Sequence, residues 1–289
     1  MTPALSAPNA SQRRAAPLNE NLPHRWMKPV AVLLWLLTAG MVLSSIWLFF
    51  VQPWYLRRMA VAELKRHGEI EISQDDDSVT FILNDGEKDR ETVTDLAVLL
   101  NRVRCTDLSL NGCENLKDIQ CLEQVESLRY LDLRRTGVSD VGPLAALTNL
   151  QWLDLTVTGV SDVGPLAALT NLRRLDLDGT GVSDVGPLAA LTKLQRLFLD
   201  GTGVSDVGPL AALTNLQELS LRDTGVSDVG PLAALTKLQR LFIDGTGVSD
   251  VGPLAALTNL QELFLNATNV PMEQVEALRK KLPECHICR

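Results

Sequence analysis

Thirteen residues, TGVSDVGPLAALT, recur without a change beginning at Thr136, Thr158, Thr180, Thr202, Thr224 and Thr246. The spacing is 22 residues each time. A fixed period of this length, with leucines at set places, requires each unit to stack on the next, because one unit cannot cover its own apolar face. This single feature excludes most architectures. It also moves the search for function from catalytic groups to an extended surface.

One unit shows how the period becomes structure. Residues 151–156 read Gln-Trp-Leu-Asp-Leu-Thr, the polar–apolar alternation of a half-buried strand. Leu153 and Leu155 point inward, and Trp152, Asp154 and Thr156 point outward. Val138, Val141, Leu144, Leu147 and Leu150 complete an interior of seven apolar groups. Each contributes ~1.5–3 kcal/mol on full burial, before chain entropy is subtracted. Ser139-Asp140, then Pro143 and Leu144-Ala145-Ala146-Leu147, read as a capped, short helical turn on the opposite side. The Asp140 column (Asp162, Asp184, Asp206, Asp228, Asp250) is therefore expected to cap helical turns rather than to hold cations.

The pattern resembles the leucine-rich repeat family, and most closely its 22-residue, internalin-like bacterial type. Leu150, Leu153, Leu155, Val160 and the SDVGPLAALTNL half carry the likeness, over about residues 92–270. The resemblance implies an α/β solenoid. It also implies a horseshoe or arc with a parallel β-sheet on its concave face, and interaction with partners rather than catalysis. Where the family usually has Asn, this chain has Thr158 and its equivalents, which offer fewer hydrogen-bonding groups.

Beyond the regular copies the pattern decays. Residues 115–119 are a degenerate unit, and residues 92–110 a weaker one. Eight strands are expected, centred near residues 109, 132, 154, 176, 198, 220, 242 and 264. Residues 69–72 and 79–83 suggest two short strands at the N-terminal end of the solenoid. Val275, Leu278 and Leu282 recur at helical spacing, which predicts a closing helix. The expected organisation is a disordered tail (1–28), a transmembrane helix (29–51), a basic juxtamembrane helix and linker (52–71), an N-terminal cap with a degenerate repeat (72–104), leucine-rich repeats (105–268) and a C-terminal capping helix (269–289).

The membrane segment rests on residues 30–51, which hold no charged residue. At 1.5 Å per residue such a stretch reaches ~33 Å, enough to cross the hydrocarbon core. Trp26, Trp54 and Tyr55 flank it, where interfacial aromatics belong. Arg13, Arg14, Arg25 and Lys28 precede it, and Arg57, Arg58, Lys65 and Arg66 follow it, so flanking charge does not set the orientation. A short tail ahead of a signal-anchor places the N-terminus in the cytoplasm and the repeats outside, which is the orientation expected here.

Net charge is −8 overall but +4 for residues 1–71 and −12 for the remainder. An acidic repeat domain argues against nucleic acid and is compatible with a basic protein or peptide ligand or with metal-rich cell-wall surroundings. Among the five cysteines, Cys105, Cys113 and Cys121 fall at core or turn positions. Cys285-His286-Ile287-Cys288 has the spacing of zinc and redox motifs but no second pair, and is read as part of the cap. No GxSxG, HExxH, Walker or dinucleotide motif is present, so neither an enzyme nor a cofactor is expected.

Recognition is placed on the outward strand positions, because these vary while the outer half does not. The candidate protein-binding face is Tyr130, Trp152, Asp154, Arg174, Asp176, Arg196, Phe198, Arg222, Arg240, Phe242 and Phe264. Trp, Tyr and Arg are enriched in binding hot spots, and exposed aromatic surface marks recognition sites. Two rivals remain at this point. One is a cell-wall or carbohydrate binder using Trp152 and Tyr130 as platforms. The other is a spacer without a specific ligand.

Overall fold

The computed structural model describes residues 52–72, 79–83 and 90–289. The expected tail and membrane helix, residues 1–28 and 29–51, lie outside the described residues. Among the described residues no helix is long and apolar enough to cross a membrane.

From Tyr55 onward the chain forms one compact unit. Helix α1 (Gln52–Leu64) leads to an antiparallel pair, β1 (Gly68–Ile72) and β2 (Val79–Leu83), and then to α2 (Arg90–Val103). Parallel strands follow: β3 (Asp107–Ser109), β4 (Tyr130–Asp132), β5 (Trp152–Asp154), β6 (Arg174–Asp176), β7 (Arg196–Phe198), β8 (Glu218–Ser220), β9 (Arg240–Phe242) and β10 (Glu262–Phe264). Helix α3 (Met272–Lys281) and a last strand, β11 (His286–Cys288), follow, and among the described residues the strands form one 11-stranded sheet in sequence order. Between the parallel strands from β3 to β10 lie seven 3-10 helices, Gln120–Gln124 and six from Gly142–Ala146 to Gly252–Ala256.

The seven-group interior is observed as expected. Val138, Val141, Leu144, Leu147, Leu150, Leu153 and Leu155 are all buried, as are their equivalents in the later repeats. The backbone of Gly142 donates to Asp140 Oδ1 at 2.8 Å, and each later copy repeats the contact at 2.7–2.8 Å. The aspartate column thus satisfies the first free amide of each 3-10 turn, and the serine beside it does not. Thr158 donates to Leu155 O at 2.6 Å, with the same bond in the other repeats. The hydroxyl closes its own turn where an asparagine amide is usual.

Four expectations need correction. The strands are three residues long and centred one residue earlier than expected, because the backbone turns left-handed soon after each one. Arg135, Val157, Asp223 and Ala267 have φ of 54–55°, and Gly179, Gly201 and Gly245 take the same place with φ of 65–69°. Residues 92–103 are not a degenerate repeat turn but part of α2. The segment 52–71 is not merely a linker: Ala60 and Leu64 of α1 are buried in the common core, and β1 begins at Gly68. Gly68 is required there, since a Cβ would fall 2.2 Å from the Ile82 carbonyl oxygen. Finally, residues 269–289 hold more than a helix. Ile287 is buried and β11 extends the ladder from β10, a strand too short to show a period in the sequence.

The C-terminal helix otherwise behaves as the spacing predicts. Val275, Leu278 and Leu282 are buried against the last repeat. Arg279, Lys280 and Lys281 occupy its last turn, where cations oppose the negative end of the helix dipole. Cys105, Cys113 and Cys121 are core residues, and no disulfide occurs among the described residues. Burial pushes the Cys105 thiol up to about 12.

Candidate functional site

Register brings the outward residues into columns. Tyr130, Trp152, Arg174, Arg196, Glu218, Arg240 and Glu262 are successive partners, and so are Asp132, Asp154, Asp176, Phe198, Ser220, Phe242 and Phe264. Neighbouring strands lie ~4.8 Å apart, so side chains in a column touch.

The aromatics do not stand free in solvent. Tyr130 and Trp152 stack with ring centroids 3.7 Å apart and planes 5° apart. The Arg174 guanidinium lies 5.7 Å from the Trp152 centroid and 4.8 Å from that of Phe198. Further along, Phe242 and Phe264 stack at 4.7 Å and 13°, and Arg222 lies 4.2 Å from the Phe242 centroid. The candidate face is therefore a stripe of rings and guanidinium groups, interrupted at the buried Ser220. Each ring is half-buried by its neighbours, which fixes its orientation.

Most of the arginines on this face are paired with carboxylates. Arg134 donates to both oxygens of Asp132, at 3.0 and 2.7 Å, and lies 3.3 Å from Asp154. Arg174 grips Asp176 with two bonds, at 2.8 and 3.2 Å. Arg196 faces Glu218 rather than the aspartates, at 3.6 Å, and Arg240 approaches the same carboxylate at 2.8 Å. Arg222 bridges Asp200 at 3.6 Å and Asp244 at 3.3 Å. Ser220 donates to Asp200, and Asp244 accepts from the Asn266 backbone at 2.9 Å. The buried carboxylates feel the loss of water. Burial raises Asp154 and Asp176, and outweighs the Arg174 bonds at Asp176. Asp178 has no cation within ion-pair distance among the described residues. Burial, then the Asp200, Asp176 and Asp154 charges, lift it to about 6 despite a bond from the Asp200 backbone at 2.7 Å.

All eleven candidate residues lie on this one face, in two groups. Tyr130, Trp152, Asp154, Arg174, Asp176 and Phe198 form the first, and Arg222, Phe242 and Phe264 the second. Arg196 and Arg240 flank Glu218 between them. The candidate set omitted Glu218, Ser220, Asp178, Asp200 and Asp244, although the alternation Arg196-Glu218-Arg240 carries a readable signal. It also omitted Asp107 and Arg129, which lie beside Tyr130 in a pocket. Asp107 lies in a degenerate unit and only the register of β3 on β4 places it there, whereas Arg129 directly precedes Tyr130 in the chain. Among the described residues no group of His, Cys, Asp or Glu is arranged to hold a metal ion.

Residues 98–271 match the family described as the leucine-rich repeat region. The chain belongs to the leucine-rich repeat family. Among solved structures, internalin C2 of Listeria monocytogenes is similar at 33% identity over 66% of this chain and 82% of that one, with a TM-score of 0.62. Internalin F of the same organism is similar at 29% identity, with a TM-score of 0.54, over 66% of this chain and 62% of that one. No curated protein matches. The leucine-rich repeats are thus internalin-like, and the fold is that of a protein–protein interaction module.

Proposed function

We propose that this leucine-rich repeat domain binds a protein or peptide of basic character through its concave strand face. The observation that carries the reading is the preorganised stripe Tyr130–Trp152–Arg174–Phe198 with its second group Arg222–Phe242–Phe264. Rings already fixed by stacking, and guanidinium groups already held by carboxylates, lose little freedom when a partner docks. Trp, Tyr and Arg at the middle of a patch carry most binding energy in known interfaces. The −12 balance of residues 72–289 attracts a basic partner over distance.

We further propose that residues 29–51 hold the domain at a bilayer with the repeats exported, on the strength of the uncharged 30–51 stretch. Alkaline extraction of membranes should leave the full chain in the pellet and release a chain lacking 30–51. Release of the full chain would overturn the anchor. Protease added outside the cell should reach the repeats, and full protection would reverse the orientation.

The binding test compares the full chain with a variant carrying Ser at Trp152, Phe198, Phe242 and Phe264, after checking that both melt alike. A partner held by the parent and lost by the variant supports the strand face. Equal capture by both moves the site elsewhere. Capture by neither favours a spacer.

A further inference from the structure

At the N-terminal end of the strand face the aromatic stripe ends in a pocket. Its volume is about 430 Å3, within the ~300–1,000 Å3 range of ligand sites. Thr80, Thr106, Asp107, Arg129, Tyr130, Gln151 and Trp152 line it. Register aligns Thr80, Asp107, Tyr130 and Trp152 on successive strands. One face of Tyr130 is taken by Trp152, so its other face is turned toward the shorter Asp107 and Thr80. The pocket is the step down from ring to short side chains.

Its polar groups differ from those on the rest of the face. Arg134, Arg174, Arg196, Arg222 and Arg240 each have a carboxylate within 4 Å. Among the described residues Arg129 and Asp107 make no ion pair, and the Gln151 amide makes no side-chain bond. Asp107 is held in place by the Thr106 hydroxyl, which donates to its Oδ2 at 2.7 Å. Thr106 is itself anchored by the Val79 backbone, which donates to its Oγ1 at 2.9 Å. An oriented acceptor, a guanidinium and an amide thus converge on an open aromatic face.

We propose that this pocket is a saccharide subsite. A sugar ring offers a C–H face to the negative face of Tyr130 and a rim of hydroxyls that both donate and accept. Asp107 takes hydroxyl donors, Arg129 gives to hydroxyl oxygens, and Gln151 does both. A purely cationic ligand gains at Asp107 and loses at Arg129, and an anion does the reverse, so a neutral polyol fits this pair best. The subsite shares Tyr130 and Trp152 with the first group of the protein-binding face, whereas the second group, Phe242 and Phe264, lies several strands away.

The test is saturation-transfer NMR on the full chain with cellobiose, N,N′-diacetylchitobiose and maltose, each at millimolar concentration. At least one disaccharide should receive saturation, strongest on the C–H protons of one ring face. Tyr130→Ala should abolish it, and Asp107→Asn and Arg129→Ala should each raise Kd about tenfold or more. Phe264→Ser should leave it unchanged, which separates failure of this subsite from failure of the protein-binding face. Should Tyr130→Ala not fold, the other two variants decide, because both alter partly or fully exposed side chains. The proposal is overturned if none of the three sugars receives saturation. Unchanged Kd in both Asp107→Asn and Arg129→Ala would overturn it equally.

Discussion

Repetition makes a controlled core experiment possible. Leu166, Leu188 and Leu210 each begin the apolar half of a GPLAA turn, and each is 0% exposed. Their repeats share the same seven inward residues, Val-Val-Leu-Leu-Leu-Leu-Leu. Changing any one of them to Ala removes three carbons, about 2.4 kcal/mol of transfer free energy at ~0.8 kcal/mol per methylene. A cavity then adds to this, because 3-10 turns packed on both sides restrict collapse. The expected loss is about 3–4 kcal/mol, inside the ~2.7–5.0 kcal/mol span of such substitutions. That span reflects how well different sites relax, and here the sites are the same. The three variants should therefore agree within about 0.5 kcal/mol, the usual error of additive comparisons. Leu254 should depart from them, since α3 replaces a repeat on one side and Ile243 replaces a leucine below. Urea unfolding of the full chain, followed by far-ultraviolet circular dichroism, measures each loss. A spread above about 1 kcal/mol among the three inner sites, within one cooperative transition, would refute the claim that local packing sets the cost. So would a common loss below about 1.5 kcal/mol.

Four other outcomes follow from named contacts. Glu218→Gln leaves Arg196 and Arg240 facing each other without a carboxylate; it should cost about 1 kcal/mol at low salt, and the cost should shrink as salt is added, because both arginines are half-exposed. A salt-independent cost would refute the pairing. Asp178 holds its proton up to about pH 6 when folded, against about 3.8 for an ordinary carboxylate. The folded state then binds more protons than the unfolded chain, so stability should fall as pH rises from about 4 to 6 and stay reduced above that; Asp178→Asn should flatten this slope in urea titrations, and an unchanged slope sinks the assignment. Val157 is 55% exposed and held at φ 55°, a conformation that disfavours β-branched residues. Val157→Asn should therefore stabilise by about 0.5–1 kcal/mol, and a lower melting temperature would contradict this. Gly68→Ala should cost about 2–3 kcal/mol, because the added carbon meets the Ile82 carbonyl; a silent substitution would mean that the β1–β2 pair shifts freely.

Much of this protein is legible in one dimension. A 22-residue period is a statement about stacking, so the seven inward groups and the outward columns follow from the apolar positions within one unit, and the family resemblance implies the parallel sheet. The aspartate cap follows too, because its partner is the amide two residues on. The N-terminal α2 and the strand β11 were not legible. Their units have lost the period, and a three-residue strand is defined only by the neighbour it bonds.

The candidate face divides in the same way. Sequence alone placed Tyr130, Trp152, Phe198, Phe242 and Phe264 on one side, since alternation fixes the direction of a side chain. It did not decide what they touch. Arg174 lies against Phe198 and Arg196 turns to Glu218 because long side chains choose partners across strands, where reach and competing carboxylates matter and sequence distance does not. Asp107 meets Tyr130 only through the register of β3 on β4. Local periodicity thus determined the scaffold and the facing of each residue. Only the tertiary structure decided which charges are paired and where an unpaired set surrounds an open ring, because Arg134 and Arg174 take carboxylates two residues away while Arg196, Arg222 and Arg240 reach across to neighbouring strands.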